Sequence, residues 1–428
     1  MKKVLLITYY WPPAGGPGVQ RWLRFVTYLR DYGVEPVLYI PDNPVYPLLD
    51  TSLLDEVPPD IRIYRNKIIE PMQWAGRFLK KDVKRISTGI ISEHKPSLAE
   101  RVLLWIRGNF FIPDARILWV RPSVAYLKKV LKTENIDTIV TTGPPHSLHL
   151  IGLYLKTETG IKWVADFRDP WTSIGYHKKL RLGPLARNKH KRLEKQVLNT
   201  ADKILVTSST TGRELEEITS QPVRVITNGY EAIDYSEESP EPDRLFTLSH
   251  IGSLLSGRNP EALWRALQQL TEESKEFRMS FRLRFAGVVS PDVLESIRQH
   301  GLEPFLELLE YMPHSRIIKI QRQSQILLLI EINSPETRGI LPGKLFEYLA
   351  SKRPVLAVGP EDWEAGDIIR EARAGTVFNY GSGDEIKKTV FQWFEKYQEG
   401  SLQVASRGIQ KFSRKELTRS LAKELLWE

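Results

Sequence analysis

The chain opens on a short apolar run at residues 3–8, followed by a loop of aromatic, proline and glycine residues (YYWPPAGGPG). At 19–32 the apolar positions then recur at helical spacing. A second apolar run at 34–40 completes a strand–helix–strand start, which implies parallel strands with helices on both faces. Further strand-like runs fall at 61–64, 138–142, 163–166, 203–207 and 223–226, with helical patterns between them at 123–131, 147–157 and 189–198. A polar, acidic, proline-bearing stretch at 231–244 reads as a linker. Beyond it the alternation restarts, with strands at 246–252, 281–287, 325–330, 354–358 and 375–378 and helices at 259–270, 291–300, 317–323 and 343–351. The pattern predicts an α/β protein of two Rossmann-like domains, residues 1–235 and 245–400, facing each other across a cleft. Residues 384–427 read as helical, and the terminal segment 401–428 is expected to pack back on the first domain.

Composition narrows the chemistry. A length of 428 residues is ample for two cores. No run approaches the ~18 consecutive apolar residues of a membrane-spanning helix. The complete lack of cysteine removes disulfides, thiolate metal sites and a thiol nucleophile, leaving carboxylates, His, Lys, Arg and backbone dipoles. Met1, Lys2 and Lys3 have the charge of a signal sequence, but the apolar run behind them is too short for one, so a cytoplasmic location is expected.

Three loops stand out. In the first, Gly15, Gly16 and Gly18 precede a helix and allow close approach of an anion or substrate, with Trp11 on the same loop. Its G-G-P-G order does not fit the G-x-G-x-x-G dinucleotide pattern. In the second domain Gly252 ends a strand and Arg258 precedes Pro260, expected at the first position of a helix; a guanidinium there suits a diphosphate. The segment RGILPGKLFEYLA places Lys344 in a first helical turn, where a cation opposes the macrodipole unless an anion lies nearby. Glu347, three residues on, can accept two ribose hydroxyls; an intrahelical Lys344–Glu347 pair, worth ~0.2–0.5 kcal/mol, is the alternative. In the first domain His146, Asp166, Arg168 and Asp169 follow strand C-terminal ends, where ligands of open α/β sheets gather. His146 with Ser147 equally fits a helix cap. The Asp166–Asp169 spacing is compatible with magnesium, but no other ligand accompanies it and no metal is expected.

Taken together, the double-glycine loop, the Gly252-to-Arg258 loop and G-x-x-P-x-K-x-F-E-Y-L-A from Gly339 resemble the GT-B glycosyltransferases, in particular glycosyltransferase family 4. The resemblance covers nearly the whole chain. It implies a retaining transfer from a nucleoside-diphosphate sugar, a UDP-sugar among the candidates, with the donor bound in residues 245–400 and the acceptor in the first domain. It maps Glu347 to the donor ribose and Gly15 and Gly16 to the donor phosphate or acceptor. Arg258 and Lys344 map to the diphosphate as catalytic cations, with Gly252, Gly339 and Leu345 beside them. His146 or His149 maps to the family's first-domain histidine, and His146 is favoured because it leaves the strand end first. The leaving phosphate can itself take the acceptor proton, and no cofactor is implied. Two positions depart from the pattern: Ser253 replaces a cation, and Gly339 replaces a glutamate for which Glu336 is the nearest substitute. A sugar-nucleotide epimerase and a non-catalytic sugar-nucleotide or membrane-binding protein are the alternatives.

The formal charge of +9 is concentrated. Residues 74–107 carry +5, interleaved with aromatic and aliphatic positions, and residues 178–196 carry +7. Basic amphipathic segments of this kind suit an anionic membrane surface and hence a membrane-proximal or lipid-linked saccharide acceptor. Solvated helix faces are the alternative. No nucleic-acid module accompanies the charge, and no nucleic-acid partner is expected.

Overall fold

A computed structural model describes residues 1–70, 98–173, 180–235, 240–310 and 312–427. The chain divides into two compact units, Met1–Thr227 with Lys415–Glu428, and Asn228–Arg414.

Unit 1 runs β1 (Lys2–Ile7), α1 (Pro17–Leu29), β2 (Val34–Pro41), β3 (Arg62–Asn66), α2 (Leu98–Phe110), α3 (Ile117–Glu134), β4 (Thr138–Gly143), α4 (Ser147–Thr159), β5 (Lys162–Phe167), α5 (Pro184–Thr200), β6 (Lys203–Val206), α6 (Ser209–Glu216) and β7 (Val223–Val225). Its seven strands are parallel in the order β3-β2-β1-β4-β5-β6-β7. A parallel sheet covered on both faces needs strands apolar on both faces. In β1, Leu5 and Ile7 enter the core shared with α3 and α4, while Val4 and Leu6 enter the core shared with α1.

Unit 2 runs β8 (Phe246–Ile251), α7 (Glu261–Glu273), α8 (Lys275–Ser280), β9 (Phe281–Ala286), α9 (Pro291–Gln299), β10 (Leu306–Leu309), α10 (His314–Gln323), β11 (Ile326–Ile330), α11 (Gly343–Ala350), β12 (Val355–Val358), α12 (Glu364–Glu371), β13 (Gly375–Phe378) and α13 (Gly383–Gln398). Its six strands are parallel in the order β10-β9-β8-β11-β12-β13. Strand β11 shows the same two-sided burial: Ile326, Leu328 and Ile330 face one core and Leu327 and Leu329 the other.

The order reverses between β1 and β4 in unit 1 and between β8 and β11 in unit 2. Such reversals open a crevice beyond the strands' carboxyl ends.

Three local differences from the sequence pattern have physical causes. Helix α3 starts at Ile117 and runs through Pro122, although a proline inside a helix costs ~3 kcal/mol. The extra turn buries Trp119, whose ring stacks on Tyr39 with centroids 5.1 Å apart. Pro260 caps α7 instead of occupying its first position. The linker is claimed by unit 2 from Asn228: Tyr230 is buried and exchanges backbone hydrogen bonds with Phe412 and Arg414 at 3.1 and 3.0 Å. Residues 236–239 of that stretch lie outside the described residues.

The terminal segment is two helices instead of one. After α13 the chain makes a short 3-10 turn at Ile409–Phe412 and enters α14 (Arg414–Leu426). Leu417, Leu421, Ala422 and Leu425 pack into the α1-side core of unit 1, and Lys203 binds the Glu424 carboxylate at 2.8 Å. Each fully buried leucine contributes about 1.5–3 kcal/mol.

Candidate functional site

The best-defined constellation lies at the β8/β11 reversal of unit 2. Helix α11 turns Leu345, Phe346, Tyr348 and Leu349 into the core, so Lys344 and Glu347 occupy its other face. The helix is pinned to the sheet because the Tyr348 hydroxyl accepts the Ile251 N–H at 2.9 Å. That anchor sets Lys344 over Gly252. Gly252 has φ +92°, and a Cβ added there would fall 3.3 Å from the Lys344 Nζ. Gly287, at φ +134°, lets the β9 end approach the Gly252 backbone, which a Cβ would meet at 2.8 Å.

Lys344 donates to Nε2 of His250 at 3.0 Å. The other ring nitrogen, Nδ1, lies 2.9 Å from the Leu328 carbonyl, which can only accept. This fixes the proton on Nδ1 and leaves Nε2 as the acceptor for lysine. Burial, then the Lys344 and Arg258 charges, push the imidazole well below its usual range, so it is neutral. Burial, followed by the charge of Arg258, pulls Lys344 down to about 7 against the opposing pull of Glu331 and Glu347.

Arg258 grips one oxygen of Glu331, with Nε at 3.1 Å and Nη2 at 2.8 Å. The same oxygen accepts the Ile332 N–H at 2.9 Å, and the glutamate side chain is only 1% exposed. The guanidinium is thus held by a rigid buried carboxylate just beyond the end of β11.

Glu347 and Lys344 diverge. The Glu347 oxygens accept from His314 Nε2 at 3.0 Å and Gln321 Nε2 at 2.7 Å, both on α10. Burial alone would raise this carboxyl, but the hydrogen bonds and charge of His314, with Gln321 and Arg414, hold it below the usual range. A carboxylate offers about four lone-pair sites, so about two remain. The intrahelical pair with Lys344 is replaced by these two separate engagements. Leu345 is a core residue whose side chain lines no site. Glu336 is exposed and accepts from the Ser334 hydroxyl, on the local turn before Gly339.

In unit 1 the motif residues divide. Trp11 is 1% exposed and packs in the core with α1, which corrects its expected place on a cleft wall: an indole this large is stabilised by burial. Asp166 is also buried. It accepts from Trp22 Nε1 at 2.9 Å and Thr142 Oγ1 at 2.8 Å and pairs with Arg21 at 3.5 Å, fastening α1 to β4 and β5. Arg168 donates to the Pro144 carbonyl and lies against Gly18, where a Cβ would overlap its guanidinium. The first glycine loop and the β5 loop therefore meet. Asp169 is exposed. Gly15 donates to the Leu48 carbonyl at 3.0 Å, and Gly16, at φ +108°, is the N-cap of α1.

His146 stacks on Trp171 with centroids 5.1 Å apart and makes no capping hydrogen bond; Asp114 takes that role, accepting from the Ser147 amide and hydroxyl at 2.8 and 2.9 Å. His149 is fully buried, bonded to the Thr141 hydroxyl at 2.9 Å and lowered by burial to about 3. His146 is buried as well, at 3% exposed against 0% for His149, which corrects its expected place lining a cleft.

His250, Glu331, His314, Gln321 and Tyr348 were not singled out from sequence. Two carried a signal: His250 is a polar residue in an apolar strand two positions before Gly252, and Glu331 ends the ILLLI run. The other three act through tertiary contacts.

Known proteins agree with this architecture. No curated protein matches the chain. Solved structures that share the fold include a lipopolysaccharide outer core galactosyltransferase, WaaB, with 14% identity, TM-score 0.59, and 100% of this chain and 99% of the other covered. Anabaena HepE, crystallised with UDP, shows 12% identity, TM-score 0.58 and coverage of 99% and 95%. WaaG, a glycosyltransferase involved in lipopolysaccharide biosynthesis, shows 13% identity, TM-score 0.56 and coverage of 99% of each chain. These establish a GT-B fold. The family model of Glycosyltransferase Family 4 matches residues 18–232, half of the chain, and the protein belongs to that family of glycosyltransferases.

Proposed function

We propose that the chain transfers a sugar from a nucleoside-diphosphate sugar to a saccharide acceptor with retention of anomeric configuration. The observation that carries this reading is the convergence of Lys344 and Arg258 at the β8/β11 reversal, each held by a buried partner, His250 and Glu331. Two cations fixed before the substrate arrives are suited to a charge that grows as the diphosphate departs, and preorganised groups of this kind lower the barrier without reorganising. The amides at the start of α11 add partial positive charge. Glu347, already oriented by His314 and Gln321, has lone pairs left for the two ribose hydroxyls. The departing phosphate takes the acceptor proton as the new glycosidic bond forms on the face that the leaving group vacates. The likeness to HepE, whose crystals hold UDP, supports a uridine donor.

The acceptor is presented at a membrane. Helix α5 exposes Arg187, Lys189, Lys191, Arg192 and Lys195, while its acid, Glu194, is buried and accepts from the Thr172 amide at 3.1 Å. Leu185 on the same helix is 87% exposed, and Phe110 and Trp105 on α2 are 68% and 45% exposed. Exposed aromatic and aliphatic side chains beside cations fit an anionic lipid surface. Residues 71–97 and 174–179, which carry the rest of the basic stretches, lie outside the described residues. A peripheral place on the inner face of the cell membrane follows from this reading. Incubation with UDP-, GDP-, ADP- and dTDP-sugars and a lipid acceptor extract, followed by ¹H NMR, tests the function. A new glycoside that keeps the donor's anomeric configuration is expected; epimerised donor without acceptor, or no turnover with any donor, overturns it.

A further inference from the structure

The cluster around Lys344 sets two cations beside a neutral imidazole. Its cation-bearing side chain is half-buried and turned to a neutral imidazole, not to a carboxylate. The charged groups that act on its Nζ are Arg258 from the loop after β8, Glu331 from the end of β11, and Glu347 from its own helix. Glu331 is already paired with Arg258, and Glu347 turns away to His314 and Gln321. A second full positive charge at Nζ would therefore sit beside a guanidinium with no carboxylate bonded to it among the described residues, which desolvation makes costly.

We propose that the diphosphate of the donor binds this cluster together with a proton: Lys344 rests as a neutral amine against His250 and becomes an ammonium when the anion arrives. The proton comes from solvent and ends on Nζ, so the lysine side chain gains one positive charge and no other bond changes. His250 is the positioning residue. With its own proton committed to the Leu328 carbonyl, its Nε2 can only accept, so it holds Nζ above Gly252 in either protonation state. Before the anion arrives Arg258, paired with Glu331, is then the one cation of the three groups that act on Nζ, and the anion creates the second cation that binds it. This rests on the donor-site reading given above.

Proton-coupled binding has a direct signature. If binding takes up a proton, the observed heat varies with the ionisation enthalpy of the buffer, and affinity falls as pH rises above the lysine's resting value, by up to about tenfold per unit. Titration calorimetry of UDP, GDP, ADP and dTDP in Tris and in HEPES at pH 8 reads this on the intact chain. At that pH a terminal phosphate, with pKa about 6, is already ionised and contributes nothing. The expected result is uptake of close to one proton per bound nucleotide, affinity that weakens between pH 7.5 and 9, and no uptake in Lys344→Met at the higher concentrations its weaker binding needs. Binding to the wild-type chain with buffer-independent heat overturns the proposal and leaves the donor site standing. Failure of all four nucleotides to bind overturns both.

Discussion

The Nε and Nη2 groups of Arg258 converge on a single oxygen of Glu331, at 3.1 and 2.8 Å, and Ile332 donates to that same oxygen. One acceptor atom thus fixes both the end of β11 and the direction of the guanidinium. Glutamine at 331 keeps an oxygen there, whereas alanine removes it and frees the arginine side chain. Glu331→Ala is expected to weaken nucleotide binding about tenfold, which is about 1.4 kcal/mol. Glu331→Gln is expected to lower thermal stability, since a half-buried guanidinium loses its counter-charge, without weakening binding. Calorimetric Kd values for the two variants check this; equal losses would show that charge, not position, is what Glu331 supplies.

Glu347 titrates below the usual range, despite burial, because His314 and Gln321 donate to it. A carboxyl depressed in the folded chain adds stability that is fully present above its unfolded pKa of about 4.3 and is lost as pH falls through its folded value. The stability difference between wild type and Glu347→Gln is therefore expected to shrink as pH falls below about 4. Urea unfolding across that range measures it.

Asp166 shows how far a motif residue can be structural. It is fully buried, and Trp22, Thr142 and Arg21 all donate to it. Replacing it with alanine leaves the Arg21 guanidinium buried without its carboxylate, a change that typically costs about 3–5 kcal/mol. Asp166→Ala is expected to lower the unfolding midpoint sharply, while Asp169→Ala, at an exposed position, is expected to leave it unchanged. Denaturant melts of both decide the assignment.

The basic face of α5 gives a salt-dependent expectation. Cosedimentation with vesicles containing phosphatidylserine is expected at low salt and should weaken as salt rises, because charge at an exposed surface is screened within ~8–10 Å. Arg187→Glu combined with Lys191→Glu is expected to abolish it. Equal binding to neutral vesicles, or none to either kind, contradicts the membrane-proximal acceptor.

Much of this arrangement was legible from residue pattern alone. Continuous apolar runs such as ILLLI read as buried parallel strands because a two-sided core leaves no polar face. The glycine at 252 and the Lys344 helix were legible because a left-handed backbone and a cation in a first turn are each unfavourable without a reason. Strand β10 was missed, since its four residues lie on a sheet edge and are all partly exposed, which blurs the apolar signal. The start of α3 was missed because Pro122 reads as a break, and the gain from burying Trp119 is tertiary. Trp11 was assigned by its place on the first loop and Asp166 by its place at a strand end, and position along the chain does not say whether a side chain turns inward. The partners of Glu347 come from a different helix, which no local spacing encodes.

If Arg258 and Lys344 receive the diphosphate of a nucleotide sugar, removing either cation weakens nucleotide binding. The most direct measurement is the affinity of UDP, GDP, ADP and dTDP for the wild-type chain, Arg258→Ala, Lys344→Met and, as a control, Arg168→Ala in unit 1. The expected result is binding of at least one nucleotide, weakened about tenfold or more by each unit 2 substitution, a loss of about 1.4 kcal/mol or more, and unchanged by the control. Nucleotide binding that survives both unit 2 substitutions intact, or that is lost with Arg168, contradicts it.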